Sequence, residues 1–456
     1  MPYAREAAGK GGHADFVRNP DVQGFLAQCT YLKPPSDAEA LEMASRFNPA
    51  PKGVPPHLPK FVVASDASKS DTPISDKLPS TQIGLLKVSH VLIEAEKYAG
   101  LLDPGNRFVD PFKVAEMHRS ASPVTFTMPG SNIRYAGFDN VRDGFRKALF
   151  DQLIIDRSEG SGFVMAHTLL DLNGTELRLN ACPCCRSEPG PTFGRDLMRI
   201  ACEHCGSDVY VTDWLRLHEG ISDFGDNTSA MTRMMNAIEH LMLASFIQQV
   251  FEVQASALSS IAFVLDGPLA IFGEPAKLSQ RIQALIYRVN ARLTELGLDP
   301  MIVIGLQKTG GVMDHALLLE RFLPDGVIRV IDDEYRSKFI TGGDTMAKNF
   351  GNETYYGQDF LFKTERGRIF NFALPYPFLD KTAGGGGAGF AEIKADLSNY
   401  GGLVERACDL IRHFEMDLYD NAIVPVALAH RHASISLSPG GKVLDLLVRS
   451  GLDQRR

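Results

Sequence analysis

Tryptophan is nearly absent from this chain, with one in 456 residues, and cysteine is scarce at seven. An odd number of thiols cannot close into a fully paired disulfide framework, and the amino end reads as no secretion signal, so an intracellular, cytoplasmic protein is expected. Apolar runs are short and broken by charges or turn residues, so no membrane span is expected. Positive charge is also lacking, because 47 Lys and Arg face 55 Asp and Glu for a net charge of -8. That balance excludes an indiscriminate polycation, but it leaves room for a local groove where metal ions sit between acidic side chains and phosphate. No GxxxxGK[ST] segment occurs, which removes the phosphate-loop signature of an ATPase.

What cysteine there is falls in a pattern. Cys182-Pro183-Cys184-Cys185 and Cys202-Glu203-His204-Cys205 form two CxxC pairs, and four thiolates so spaced suit one tetrahedral Zn²⁺ in a closed, structural site. Cys182, Cys185, Cys202 and Cys205 are the expected ligands; Cys184 is then spare, and Cys29 and Cys408 are isolated. The division that follows is a lead-in over 1–57, a first core part over 58–181, the zinc knuckle over 182–205, the rest of the core over 206–436 and a tail over 437–456.

The remaining pattern is mixed α/β. Strands are expected at Phe61–Ser68, Ile83–Val91, Ser260–Leu265 and Met301–Leu306, and helices at Ser36–Phe47, Val141–Arg157, Met231–Val250 and Ser398–Leu418. Asp66 and Asp266 each follow an apolar strand, where a rigid backbone can hold a carboxylate at a sheet edge; ordinary turn or cap roles are the alternative. Glu239 would lie beside Met235, Met242 and Phe246, where an unpaired charge is costly and a metal ion or an arginine would relieve it. Glu252 competes for that role.

Three carboxylates with oxygen donors favour Mn²⁺ or Mg²⁺ and phosphodiester hydrolysis. Lys308, just past a strand, and Arg431 are candidate phosphate contacts. His430 is a candidate metal ligand or proton carrier. The cluster Asp332, Asp333, Glu334 and Arg336 reads as a solvated loop, and Gly384–Gly389 as a mobile linker or a close backbone passage.

In order along the chain, Asp66-Ala67-Ser68, Glu239, Val264-Leu265-Asp266-Gly267-Pro268-Leu269, Lys308 and Ala429-His430-Arg431-His432-Ala433-Ser434-Ile435-Ser436 resemble the motifs of the NurA nuclease family. The resemblance spans about Phe61 to Ser436. It implies an RNase H-like nuclease core and Mn²⁺-dependent exonuclease or endonuclease action on DNA. Asp66, Glu239, Asp266 and His430 would be the catalytic and metal-binding residues. It also implies a homodimer working with a hexameric HerA-type translocase, in DNA-end processing and repair or in antiviral defence. Ala67 and Pro268 replace the family's Gly and Ser, and Ala422 stands where a catalytic Tyr is expected, for which Tyr419, Tyr376 or Tyr335 could substitute. A DNA-binding and assembly subunit without cleavage, and a phosphohydrolase of small nucleotides, are the alternative readings.

Overall fold

The computed structural model describes residues 14–29, 33–99, 121–157, 164–174, 176–341, 351–415, 422–435 and 448. Tyr419, Ser436 and nearly all of the tail lie outside these. Thirteen strands form β1 (Asn48–Pro49), β2 (Phe61–Pro73), β3 (Gln82–Glu94), β4 (Ala121–Pro129), β5 (Leu177–Arg178), β6 (Thr192–Phe193), β7 (Arg199–Ala201), β8 (Asp208–Tyr210), β9 (Ile261–Asp266), β10 (Ile302–Gln307), β11 (Val327–Val330), β12 (Gly357–Lys363) and β13 (Ile369–Pro375).

Nine of them make one mixed sheet in the order β1-β11-β12-β13-β10-β9-β2-β3-β4. Its centre is parallel, β2 to β9 and β9 to β10, and every other pairing is antiparallel. β9 and β10 are apolar along nearly their whole length and buried on both faces, as parallel central strands must be. Period-two alternation then divides the core. Val63, Phe263 and Val303 face the helices Val141–Leu153, Met165–Asn173, Thr228–Gln254 and Lys277–Glu295. Val62, Val264 and Ile304 face the helices Leu403–Phe414 and Val424–Ala433 on the other side.

Several sequence expectations change. β2 does not end in an acidic turn by Ser68 but runs to Pro73, because its polar second half stays paired with β3 from Asp66↔Ser89 to Pro73↔Gln82. The expected helix over Ser398–Leu418 is a 3-10 turn, Leu397–Tyr400, followed by a helix from Leu403, since Gly401 at φ 53° ends the first element. Asp332–Arg336 is no solvated loop: Asp332 caps a helical turn, Asp333 pairs with Lys394 at 2.8 Å, and Arg336 pairs with the buried Asp359. The glycine tract is a close passage, since a Cβ on Gly389 would fall 2.0 Å from the Gly384 carbonyl. Among the described residues one helix, Thr228–Gln254 with its 3-10 extension to Ser260, is long and apolar enough to span a membrane, against expectation. Within Thr228–Gln254 thirteen side chains are buried, Met231, Ile238 and Ile247 in the main core and Glu239, His240 and Gln248 among the polar ones.

Candidate functional site

Parallel pairing sets the site. Phe61 to Ser65 run in register with Ile261 to Leu265, so the next residue of each strand, Asp66 and Asp266, stands side by side where the β2–β9 ladder ends. Both belong to the alternation set of Val62 and Val264 and project towards the helix Val424–Ala433. Asp66 is therefore at the end of the parallel ladder although it is not at the end of its strand. Gly305 makes the adjoining turn possible, because a Cβ there would lie 2.6 Å from the Gly267 carbonyl. The chain leaves Asp266 through Gly267 at φ 143°, whose N–H donates to the Leu306 carbonyl at 2.9 Å.

Val424, Val426, Leu428 and Ala429 bury the helix Val424–Ala433 against the sheet. The Ile435 N–H beyond it donates to Ser68 Oγ at 3.4 Å. His430 is thereby carried over the two aspartates. Its Nδ1 is 2.8 Å from Asp66 Oδ2 and 3.8 Å from Asp266 Oδ2. Ligand atoms of Asp66, Asp266 and His430 all fall within 4.8 Å of one another, close enough to share one ion. Asp66 Oδ1 also accepts the Ala67 N–H at 2.8 Å.

Glu239 reaches the same region from the opposite face of the sheet, where its Oε1 accepts the Ser65 hydroxyl at 3.3 Å. It is not among the three groups within shared ligand range. Burial, then the charges of Asp66 and Asp266, hold its carboxyl well above the ordinary range, with the Ser65 bond opposing. Asp66 is raised as well, first by burial and then by Asp266, against His430 and Lys308. Glu252 is exposed near the end of the helix, more than three turns further on, and does not compete.

Lys308 is the principal cation at the carboxylates, its Nζ 2.5 Å from Asp266 Oδ2. Arg431 is exposed beside His430 on the last helical turn. Neither Tyr335 nor Tyr376 supplies the missing aromatic group. The Tyr335 hydroxyl bonds His315 Nε2 at 2.8 Å, and the Tyr376 ring packs on Phe390. Sequence reasoning missed Ser65 and the buried pair His240 Nδ1–Tyr356 hydroxyl at 2.7 Å, adjacent to Glu239; the Glu239-His240 dipeptide on one helix was the available signal. The donors present suit a divalent cation, which would offset the mutual repulsion that raises Asp66 and Glu239.

The four cysteines expected to act together do converge. Cys182 and Cys205 sulfurs are 4.0 Å apart, and Cys185 and Cys202 sulfurs 3.8 Å. A tetrahedron with Zn–S bonds of about 2.3 Å has edges of about 3.8 Å, so the spacing fits zinc and exceeds a disulfide bond of about 2.05 Å. The two turns repeat one hydrogen-bond scheme. Cys182 N–H bonds Ser187 O and Arg186 N–H bonds Cys182 O, as Cys202 N–H bonds Ser207 O and Gly206 N–H bonds Cys202 O.

Burial pushes the Cys182 thiol up, against the N–H groups of Cys185 and Cys184 that favour its thiolate. At Cys202 the corresponding groups of Cys205 and His204 dominate and draw the thiol down to about 6. The insertion is tied to the core by Arg146, whose guanidinium meets Asp213 at 2.9 and 2.7 Å, the Asp208 carbonyl at 2.8 Å and Cys184 Sγ at 3.0 Å.

No family model matches the chain, and no curated protein does. Among solved structures, the chain is similar to the NurA nuclease from Sulfolobus solfataricus at 9% identity and a TM-score of 0.37, over 97% of each chain.

Proposed function

We propose that this protein is a metal-dependent nuclease that hydrolyses phosphodiester bonds of DNA. The observation that carries the reading is the convergence of Asp66, Asp266 and His430 within 4.8 Å across three elements far apart in sequence. Asp66, Asp266 and His430 would hold Mn²⁺ or Mg²⁺, with Glu239 a further acid directed at the same centre from across the sheet. A divalent ion held there supplies Lewis acidity towards a phosphate oxygen and makes bound water a better nucleophile. Lys308 and Arg431 would hold the phosphate, Lys308 exchanging Asp266 for substrate oxygen as the ion takes over the carboxylate.

The antiparallel strands β4-β3-β2 continuing into the parallel strands β2-β9-β10 support an RNase H-like core. The cysteine cluster would hold structural Zn²⁺. Assembly as a homodimer with a hexameric HerA-type DNA translocase, in end processing or antiviral defence, follows from the sequence resemblance alone.

The test is cleavage of linear DNA by the full chain with Mn²⁺, alone and with a HerA-type ATPase. Cleavage should vanish in Asp66→Ala and Asp266→Ala while folding persists. DNA binding without cleavage by the wild-type chain, whatever the metal or partner, would replace this reading with that of a DNA-binding assembly subunit.

A further inference from the structure

Beside the cysteine cluster lies a cavity of 270 Å³. It is formed by the first thiol turn, the 3-10 turns Val211–Leu215 and Leu217–Gly220, and the start of the helix Lys277–Glu295. Clefts for drug-sized ligands span about 300–1,000 Å³, so this one suits a single small unit. Four cations line it, Arg178, Arg186, Arg216 and Lys277, together with Trp214 and His218.

The acids at the cavity are outnumbered and already engaged. Asp213 is held by the Arg146 guanidinium and by the Tyr210 N–H at 2.9 Å. Glu219 takes Arg216 at 3.1 and 2.7 Å and stands 3.8 Å from Arg186. Arg178 and Lys277 are both exposed. The cavity wall thus carries positive charge in excess, on a chain whose overall charge is -8.

Two further features mark the cavity wall. His218 is 5% exposed, its Nδ1 3.7 Å from Asp213 Oδ1, and its Nε2 meets no hydrogen-bond partner. A buried ring nitrogen left so is costly. Arg186 holds φ at 64° in the position that Gly206, at φ 72°, holds in the matching turn. The turn needs a left-handed residue there, which glycine adopts without penalty and arginine does not. Its side chain lines the cavity.

We propose that this cavity binds the phosphate of one nucleotide unit, with the guanidinium groups and Lys277 on the phosphate oxygens and Trp214 against the base. Planar guanidinium forks match phosphate oxygens, and an indole face accepts any base, since every base has a π-face. A free nucleotide and the backbone of a single strand offer this same chemistry. The inference stands on the cavity and does not depend on the nuclease reading.

Trp214 is the only tryptophan of the chain, so intrinsic fluorescence reports the cavity directly. The zinc-loaded full-length protein, without other divalent ions, is titrated with dAMP and with a short oligodeoxythymidylate. A saturable change is expected, weakened at least about tenfold in Arg178→Glu and in Lys277→Glu with zinc content unchanged, in keeping with loss of a cation–phosphate contact.

Equal affinity for both probes assigns the site to free nucleotides. Tighter strand binding, with log K falling against log salt by about 0.7 per neutralised phosphate, assigns it to the backbone. The neutral variants Arg178→Gln and Lys277→Gln provide a second pair in which fold and zinc are undisturbed. Absence of any saturable change, or a change of the same affinity in all four variants, overturns the proposal. DNA cleavage is not the readout, so the fate of the nuclease reading is decided separately.

Discussion

Lys308 Nζ lies 2.5 Å from Asp266 Oδ2, which makes its ammonium the counter-ion of the carboxylate that a divalent cation would share. Competition between the two cations gives the first prediction. Lys308→Met should tighten Mn²⁺ binding several-fold by calorimetry, because Asp266 loses its resident partner. Cleavage at saturating Mn²⁺ should nevertheless fall by about 10²-fold or more, as when one charge-stabilising donor is removed from a reacting oxyanion. Weaker metal binding in this variant would show that Lys308 orders Asp266 instead of competing for it.

Glu239 offers a test with a defined pH sign. Its carboxyl is held well above the ordinary range by burial and by Asp66 and Asp266, so the folded chain keeps a proton that the unfolded chain gives up. Stability from this group is present below the ordinary carboxylate pKa and is lost as pH rises towards the folded value. Glu239→Gln removes that loss. The metal-free variant should melt a few degrees above the wild type at pH 8, with the gap closing by pH 4.5. Mn²⁺ should reverse the order at pH 8, since the wild-type carboxylate then gains a cation.

The cysteine cluster should be separable from the carboxylate centre. Elemental analysis is expected to give one zinc per chain, lost in Cys202→Ser. Structural zinc contributes roughly 10–16 kcal/mol to folding of small zinc domains, so its loss should expose the segment between Leu177 and Ile221 to protease first. Arg146 limits the damage, because its bonds to Asp213 and to the Asp208 carbonyl need no metal. Mn²⁺ binding at Asp66 and Asp266 should persist in the trimmed protein; its loss at the same step would join the two centres into one.

Legibility in the sequence tracked how local each signal was. Asp266 could be read because an apolar run ends on it and a glycine follows. Asp66 looked the same, but β2 continues through polar residues whose pairing is supplied by β3, a long-range fact that no strand propensity contains. Glu239 was visible as an acid among methionines, and Ser65, its partner, was not, because a serine in a strand is ordinary. The charged run at Asp332 was misread for the same reason: its partners Lys394 and Asp359 arrive from other elements. His430 was legible as an imidazole next to Arg431 after an apolar run, yet its placement over Asp66 depends on the helix Val424–Ala433 crossing β2, which only the folded chain specifies.

Buried histidines cost stability in acid, and His315 isolates the effect away from both candidate metal sites. Burial lowers it to about 4, and its Nε2 meets the Tyr335 hydroxyl at 2.8 Å. The unfolded chain binds a proton near pH 6.5 that the folded one refuses until near pH 4. Stability from His315 is therefore complete above about pH 6.5 and is lost as pH falls through that window, by roughly 3 kcal/mol. His315→Gln keeps a hydrogen-bonding group for Tyr335 and removes the titration. Its urea-unfolding free energy should change less between pH 7.5 and pH 4.5 than that of the wild type. His90 and His240, lowered by burial to about 4 and about 3, should leave part of the slope in place. An unchanged slope would mean that Tyr335 and the surrounding helices yield to let the charged ring reach water before the fold opens.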